Sequence, residues 1–196
     1  MIEEKENFQV ELNVTAPTFH LKDIYNRMIN LESYKGKRVF IGFFRHAGCP
    51  FCNIRIHALA RIHQELKENN MEMIYFFEST ENILLQSTFH KGISPIPLIA
   101  DPEKIYYNMY GIENAIFKSS VSHLSSFIQT AIKAKIKGLP MHMMAEGESF
   151  STMPAEFLLD EDLIIRKIHY SRRLNDRLSL QVIKDFSLAK KQDLIR

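Results

Sequence analysis

Long apolar runs and amphipathic runs alternate along the first half of this chain. Residues 38–44 (RVFIGFF) and 71–77 (MEMIYFF) are almost continuously apolar and of strand length, which is typical of strands covered on both faces. Between them, residues 51–68 place apolar side chains on one helical face and charged side chains on the other. Because buried strands alternate with helices, the pattern predicts an α/β fold whose central sheet has a parallel core.

Shorter patterns complete the predicted order. Strands are predicted at 8–14, 95–101, 155–160 and 163–170, with the turn Glu161-Asp162 joining the last two into a hairpin. Residues 19–37 are predicted to form a short helix or a hairpin with a turn at Gly36. Helices are predicted from Thr80 to about Phe89, from Pro102 to Gly111 with Asp101 as cap, from Ser119 or Ser120 to 137, and from Asp176 or Ser179 onward. The apolar stripe predicted for the third of these helices consists of Val121, Leu124, Ile128 and Ile132. The late hairpin must add an antiparallel strand, so the sheet is predicted to be mixed.

Composition narrows the class of protein. A length of 196 residues suits one domain over 1–196, with about 114–150 as a helical insertion. A net charge of +2 provides no strongly basic face for nucleic acid. No apolar stretch approaches the length of a membrane span, and the start lacks the basic and apolar regions of a secretory signal. We therefore expect a cytoplasmic protein without a nucleic-acid or membrane partner.

The two cysteines of the chain, Cys49 and Cys52, lie between the first core strand and the following helix. Unpaired N–H groups and the dipole at a helix N-terminus favour a thiolate, so Cys49 should have a lowered pKa, and Arg45 and His46 would add to the effect. Cys52 should be more buried and less acidic, and Pro50 is compatible with a first helical turn. The pair is predicted to exchange one disulfide between an attacking thiolate and a resolving thiol. This order of elements resembles the thioredoxin pattern.

Other interpretations of the pair remain open. One interpretation is that the two cysteines are buried and inert. Another is a zinc site, because His46, His57 and His63 are near the cysteines in sequence. Zinc needs four ligands, however, and a c-type haem needs a histidine where Asn53 stands. We predict no metal and no cofactor. The role of His46 is equally open between a base or cation beside Cys49 and a solvated loop residue.

A proline stands directly before the predicted strand at 155–160. In thioredoxin-like folds a cis proline at this place faces the cysteine pair, and the backbone of the preceding residue pairs with an extended thiol substrate. We assign these roles to Pro154 and Met153. The alternative is a trans proline that opens a strand.

Three stretches, YKGKRVFIGFFRHAGCPFC, SPIPLIADPEKIYYNMYGI and MPAEFLLDEDLIIRKIHY, resemble the peroxiredoxin-like branch of the AhpC/TSA thioredoxin-fold superfamily. The resemblance spans roughly residues 12–190. It implies a thioredoxin-like fold, with a mixed central sheet flanked by helices and an inserted helix before the cis-proline strand. It also implies that Cys49 is the peroxidatic or attacking cysteine and Cys52 the resolving one.

The chain departs from the family at three positions. Typical members carry P-x-x-x-T-x-x-C, where this chain has Gly42 and His46 in place of the proline and the threonine. The arginine that usually precedes the late strand is absent, and Arg45 is a candidate replacement for its charge. Residues 169–177 (HYSRRLNDR) are basic, and family members often have polar residues near the active site here, but such a run is more often a solvated loop.

Three functions follow. The first is an antioxidant peroxidase, in which Cys49 becomes a sulfenic acid and Cys52 condenses with it. The second is a thioredoxin-like protein disulfide reductase that uses the same residues. The third is a non-enzymatic zinc-binding or scaffold module. The first two require a peroxide or disulfide substrate and an electron donor of thioredoxin or glutathione type. The lysine-rich helix at 119–137 is compatible with a membrane surface or a homodimer contact, but a helix packed on the sheet with its lysines in water is favoured.

Overall fold

The computed structural model describes residues 9–93, 95–112, 130–138 and 152–190. The strands are β1 (His20–Lys22), β2 (Met28–Asn30), β3 (Arg38–Phe44), β4 (Met71–Phe77), β5 (Leu98–Ala100), β6 (Ala155–Leu159) and β7 (Ile165–Tyr170). The helices are α1 (Pro50–Glu68), α2 (Glu81–Gln86), α3 (Thr88–Gly92), α4 (Ile105–Met109), α5 (130–136) and α6 (Leu180–Leu188), with a 3-10 helix at Leu31–Tyr34.

Five strands form one mixed sheet in the order β5-β4-β3-β6-β7. β3 runs parallel to β4, and β4 runs parallel to β5. β6 runs antiparallel to both β3 and β7. The mixed sheet predicted from the sequence is therefore confirmed, and the segment 19–37 contains the separate hairpin β1–β2.

The central strand β3 is buried along its whole length, because both of its faces are covered. Phe40 and Phe44 point into a core shared with α1 and α6. Val39, Ile41 and Phe43 point into a second core, shared with the N-terminal segment and α4. A strand in this position delivers the residues that follow it to a place already closed off from water.

The predicted strand at 8–14 is wrong where the structure describes it, from residue 9 onward. Asn13 has a left-handed backbone (φ 63°), which interrupts the alternation that a strand requires. The segment instead attaches to the sheet through Asn13 N–H, which donates to Ile165 O at 2.8 Å, and through an isolated bridge between Thr15 and Ile164.

Two predicted boundaries are moved by Asp side chains. α4 begins at Ile105 rather than Pro102, because Lys104 is left-handed (φ 59°) and the Asp101 carboxylate accepts the N–H groups of residues 105, 106 and 107. The predicted two-residue turn between β6 and β7 is a loop over 160–164, in which Asp160 Oδ1 accepts the N–H groups of residues 162 and 164.

Two predicted helices also differ from the structure. The helix expected from Thr80 to Phe89 is broken at Ser87, whose extended backbone (ψ 113°) separates α2 from α3. Of the inserted helix, Val121, Leu124 and Ile128 lie outside the described residues. Ile132, expected on the apolar stripe, is 54% exposed, and Ala134 is the buried residue of α5. The extent of the insertion and the single domain stay predictions.

Gly42 in β3 permits a close approach of aromatic rings. A Cβ atom there would meet Phe40 Cε1 and Phe44 Cε2, each at 2.9 Å. We expect Gly42→Ala to lower the free energy of unfolding by about 1–3 kcal/mol, because the rings must leave their rotamers. Gly92→Ala in α3 is the control, since its Cβ would meet nothing within 4 Å. Urea denaturation measures both variants. Equal stability of the two would contradict this account of β3.

Candidate active site

Cys49 lies at the junction between β3 and α1, as predicted. It is the N-cap residue of α1, with extended backbone angles (φ −71°, ψ 114°), and Pro50 is the first helical residue. Cys52 lies in the first turn of the helix. Both thiols are buried, and Cys49 is only 1% exposed. The cysteine pair thus combines a helix N-terminus with almost complete exclusion of water.

Three hydrogen bonds fix the loop that carries Cys49. Ala47 N–H donates to Ser79 Oγ at 2.7 Å, which ties the loop to the end of β4. Asn53 Nδ2 donates to Ala47 O at 2.7 Å, and Cys49 N–H donates to His46 O at 3.0 Å. His46 is buried, so the solvated-loop interpretation of this residue is wrong. The position of the Cys49 sulfur is therefore set by two strands and a helix.

The two thiols are inequivalent electrostatically. Burial opposes ionisation of Cys49, but the hydrogen bond from Cys52 and the guanidinium groups of Arg45 and Arg177 outweigh it and lower the pKa of Cys49 to about 6. Arg45 Nη1 lies 3.8 Å from Cys49 Sγ. Burial and the adjacent Cys49 thiolate raise the pKa of Cys52 well above its ordinary value. At neutral pH the pair is thus one thiolate and one thiol that donates to it.

A buried ion pair that sequence analysis missed lies close to the cysteines. Arg55, three residues after Cys52 on α1, makes a bidentate contact with Glu156 on β6, at 2.7 and 2.9 Å. Arg177 Nε lies 3.8 Å from the same carboxylate, and its guanidinium lowers the pKa of both thiols. The cluster of Arg55, Glu156 and Arg177 thus leaves an excess positive charge near the cysteine pair.

The sequence did contain signals for this cluster. Glu156 interrupts the otherwise apolar strand AEFLL, and a lone carboxylate in a buried strand requires a cationic partner. Arg55 has helical i, i+3 spacing from Cys52. The interpretation of 169–177 as a solvated loop holds for Arg172 and Arg173, which are exposed, and is wrong for Arg177, whose side chain is 7% exposed.

A second buried polar cluster holds the segment before Pro154. Thr152 Oγ1 donates to Glu78 Oε2 at 2.7 Å, and Lys104 Nζ lies 3.2 Å from the same oxygen. Lys104 also donates to Thr152 Oγ1 at 2.8 Å. The cluster joins the ends of three segments at the edge of the sheet where β4 ends.

The predicted pair Met153-Pro154 lies beside the end of β3. Ala155 pairs with Phe43, so the preceding Pro154 adjoins the carboxyl end of that strand. A cavity of about 630 Å³ is lined by both residues together with the end of β7, Ile112, Arg172 and Asp176. No cysteine lines this cavity. The cis bond and the pairing of Met153 with substrate stay predictions.

The part of the chain that the structure describes contains no group of three or more His, Cys, Asp or Glu residues placed to bind a metal ion. Nor does any of its helices combine the length and the apolar character that crossing a membrane requires.

The family model of the AhpC/TSA family matches residues 12–168. No curated protein matches the sequence. A yeast mitochondrial 1-Cys peroxiredoxin, whose thiol is resolved via glutathione/thioredoxin systems, has 14% identity and a TM-score of 0.64, over 90% of this chain and 74% of that one. The reduced 2-Cys peroxiredoxin of Plasmodium vivax has 18% identity and a TM-score of 0.61, over 91% and 80%. A protein assigned as thiol:disulfide interchange protein DsbE of Chlorobium tepidum has 14% identity and a TM-score of 0.61, over 92% of this chain and 100% of that one. The likenesses establish a thioredoxin-like fold.

The lowered pKa of Cys49 and the raised pKa of Cys52 predict how thiolate absorbance depends on pH. In Cys52→Ser the serine hydroxyl keeps a donor beside Cys49, so the ultraviolet absorbance of the thiolate should rise through about pH 6, the pKa of Cys49. Replacing Arg45 by Met in this background should move the inflection upward, whereas Arg61→Met, at an exposed position of α1, should not. An inflection near the free-thiol value of about 8.5 would refute the proposed electrostatics.

The buried ion pair predicts a large loss of stability when it is broken. Glu156→Gln should lower the free energy of unfolding by about 3–5 kcal/mol, because two buried guanidinium groups lose their carboxylate. Glu65→Gln breaks an ion pair with Lys184 on the surface, where the Glu65 side chain is 47% exposed. This variant should lower the free energy of unfolding by only about 0–1 kcal/mol. Urea denaturation of both variants gives the comparison. A similar cost for both would show that Glu156 does not hold the cluster.

Proposed function

We propose that this chain reduces hydroperoxides with Cys49 and resolves the product with Cys52. The chain belongs to the AhpC/TSA family and is a thiol peroxidase or thiol-disulfide oxidoreductase. The observation that carries the proposal is the pairing of a buried Cys49, whose pKa is lowered to about 6, with a protonated Cys52 at hydrogen-bond distance. An attacking thiolate and a resolving thiol are then in place at neutral pH.

The turnover uses the two cysteines, a hydroperoxide, a proton and an external thiol donor. The Cys49 thiolate attacks one peroxide oxygen, the O–O bond breaks, and the leaving oxygen takes up a proton to depart as water or an alcohol. Cys49 is then a sulfenic acid. The sulfur of Cys52 attacks the sulfenyl sulfur, the S–O bond breaks, and water departs with the Cys52 proton. Two electrons and two protons, from one dithiol or from two monothiols that become a disulfide, convert the pair back to two thiols.

Positive charge near the sulfur supports the first step. The proline, threonine and arginine of the usual peroxiredoxin motif are missing, and His46 stands at the threonine position. Arg45, at 3.8 Å from the sulfur, and the buried Arg177 offer charge at the place where the leaving oxygen becomes negative. We assign to these two arginines the stabilisation that the missing groups would provide.

The alternative is a protein disulfide reductase. The C-x-x-C spacing and the cavity beside Met153 and Pro154 favour it. Against it stands the burial of the Cys49 sulfur, because a protein disulfide must displace its cover before contact, whereas a hydroperoxide is small. We therefore rank the peroxidase first.

The electron donor that we propose is of thioredoxin or glutathione type, the two systems through which the thiol of the yeast mitochondrial 1-Cys peroxiredoxin is resolved. A pair that is returned to dithiol after each turnover suits a reducing compartment, and we propose the cytoplasm. A homodimer stays a prediction.

Stopped-flow oxidation of the reduced protein tests the proposal. A pKa near 6 gives about thirtyfold more thiolate at pH 7 than a free cysteine has, so ionisation alone explains at most that factor. We expect hydrogen peroxide to oxidise Cys49 faster than a free thiol by more than this factor. An oxidation rate at or below about thirty times that of a free thiol, together with rapid reduction of a protein disulfide at the same pH, would favour the reductase.

The resolving role of Cys52 has its own test. Cys52→Ser should still consume one equivalent of peroxide, but it should not turn over with a thioredoxin-type donor through an intramolecular disulfide. Unchanged steady-state turnover would exclude Cys52 as the resolving thiol.

A further inference from the structure

The buried Arg177 side chain has unused hydrogen-bonding capacity. Its Nη1 donates to Ser171 Oγ at 2.9 Å and to Asp176 O at 2.7 Å. Its Nε and Nη2 are buried, and no described residue accepts a hydrogen bond from them. Glu156 Oε1 is the ion-pair partner of Arg177 at 3.8 Å, beyond hydrogen-bond distance, and the same carboxylate is hydrogen-bonded by Arg55 and by the N–H of Leu178 at 3.0 Å. Two buried guanidinium groups therefore share one carboxylate, which leaves the cluster with an excess of positive charge.

In the reduced protein the Cys49 thiolate offsets part of this charge, and the guanidinium of Arg177 helps to lower the pKa of that thiol. Disulfide formation removes the thiolate: it and the Cys52 thiol, with one hydroperoxide and one proton, give the disulfide, an alcohol or water, and one further water. The buried site therefore becomes more positive by one charge. Glu156 is held by Arg55, and Glu78 is held by Lys104 and Thr152, so neither carboxylate is available to replace the thiolate.

We propose that the oxidised protein binds a small anion, a carboxylate or an inorganic anion of similar size, at the buried Nε and Nη2 donors of Arg177, and that the reduced protein does not. This inference rests on the proposed function, because it requires the Cys49–Cys52 disulfide.

The carboxylate has two sources, a free anion or the carboxylate of a thiol reductant. A reductant that carries its own carboxylate would bind next to the disulfide before electron transfer. It would be released afterwards, because the regenerated thiolate takes its place. Binding to the oxidised form alone also lowers the reduction potential of the pair, by about 30 mV for each tenfold rise in anion concentration above its dissociation constant.

The test is a titration with sodium formate followed by amide chemical shifts in NMR spectra. Sodium gluconate, whose anion is several times larger than formate, keeps the ionic strength constant. The oxidised wild type should bind formate at least about tenfold more tightly than the reduced wild type, the difference expected when a hydrogen bond to a charged group is gained. Oxidised Arg177→Met should lose this binding, and Arg177→Lys should retain part of it. Arg173→Met, at an exposed position of the same segment, should behave as wild type.

The sources are separated by reducing the disulfide with mercaptoacetate and with 2-mercaptoethanol. A rate advantage for mercaptoacetate that disappears in Arg177→Met assigns the site to the carboxylate of a thiol. Equal rate ratios in the two proteins, with formate binding intact, assign it to a free anion.

Thiol counting before the titration distinguishes the failures. Two thiols that persist after peroxide treatment overturn the proposed function and this inference with it. A disulfide that forms but binds formate no better than the dithiol, or formate binding that survives in Arg177→Met, overturns this inference alone.

Discussion

A buried thiolate has to be stabilised without water, and the other features of this site follow from that constraint. Cys49 is 1% exposed, so its charge depends on fixed neighbours: the N-terminus of α1, the Cys52 thiol and the guanidinium groups of Arg45 and Arg177. Those guanidinium groups are buried too, and they need positions as well defined as that of the sulfur. The buried Arg55–Glu156 pair and the short hydrogen bonds of the loop meet this need.

The mixed sheet brings these groups together. β3 leads directly into Arg45 and the cysteine loop, and β4 leads into Glu78 and Ser79 at the same edge. The antiparallel β6 enters from that edge, so its first residues, with Pro154 before them and Glu156 among them, lie beside the end of β3. The carboxyl ends of parallel strands are a common location for sites in open α/β sheets. Here the reversed strand adds Glu156, the carboxylate that pairs with Arg55 and Arg177.

Sequence analysis predicted the parts of the fold and site that depend on local pattern. β3, α1 and β4 have strong periodicity, and the N-cap position of Cys49 follows from where they meet. The Arg55–Glu156 pair joins residues 101 positions apart, so no local period indicates it. Arg177 was misjudged because its neighbours Arg172 and Arg173 are solvated and composition does not distinguish the three. Helix α4 begins three residues after its predicted start because the Asp101 carboxylate caps it at Ile105, four residues further on. Helix propensity does not include such a side-chain effect.

The central claim is that peroxide oxidises Cys49 and that Cys52 resolves the product where it stands. Mass spectrometry of the reduced protein after one equivalent of hydrogen peroxide tests it most directly, with both cysteines then challenged by an alkylating reagent under denaturing conditions. The account predicts the loss of two hydrogen atoms, a peptide linking Cys49 to Cys52, and no alkylation. An unmodified dithiol, or a stable added oxygen on Cys49 with Cys52 still open to alkylation, would contradict it.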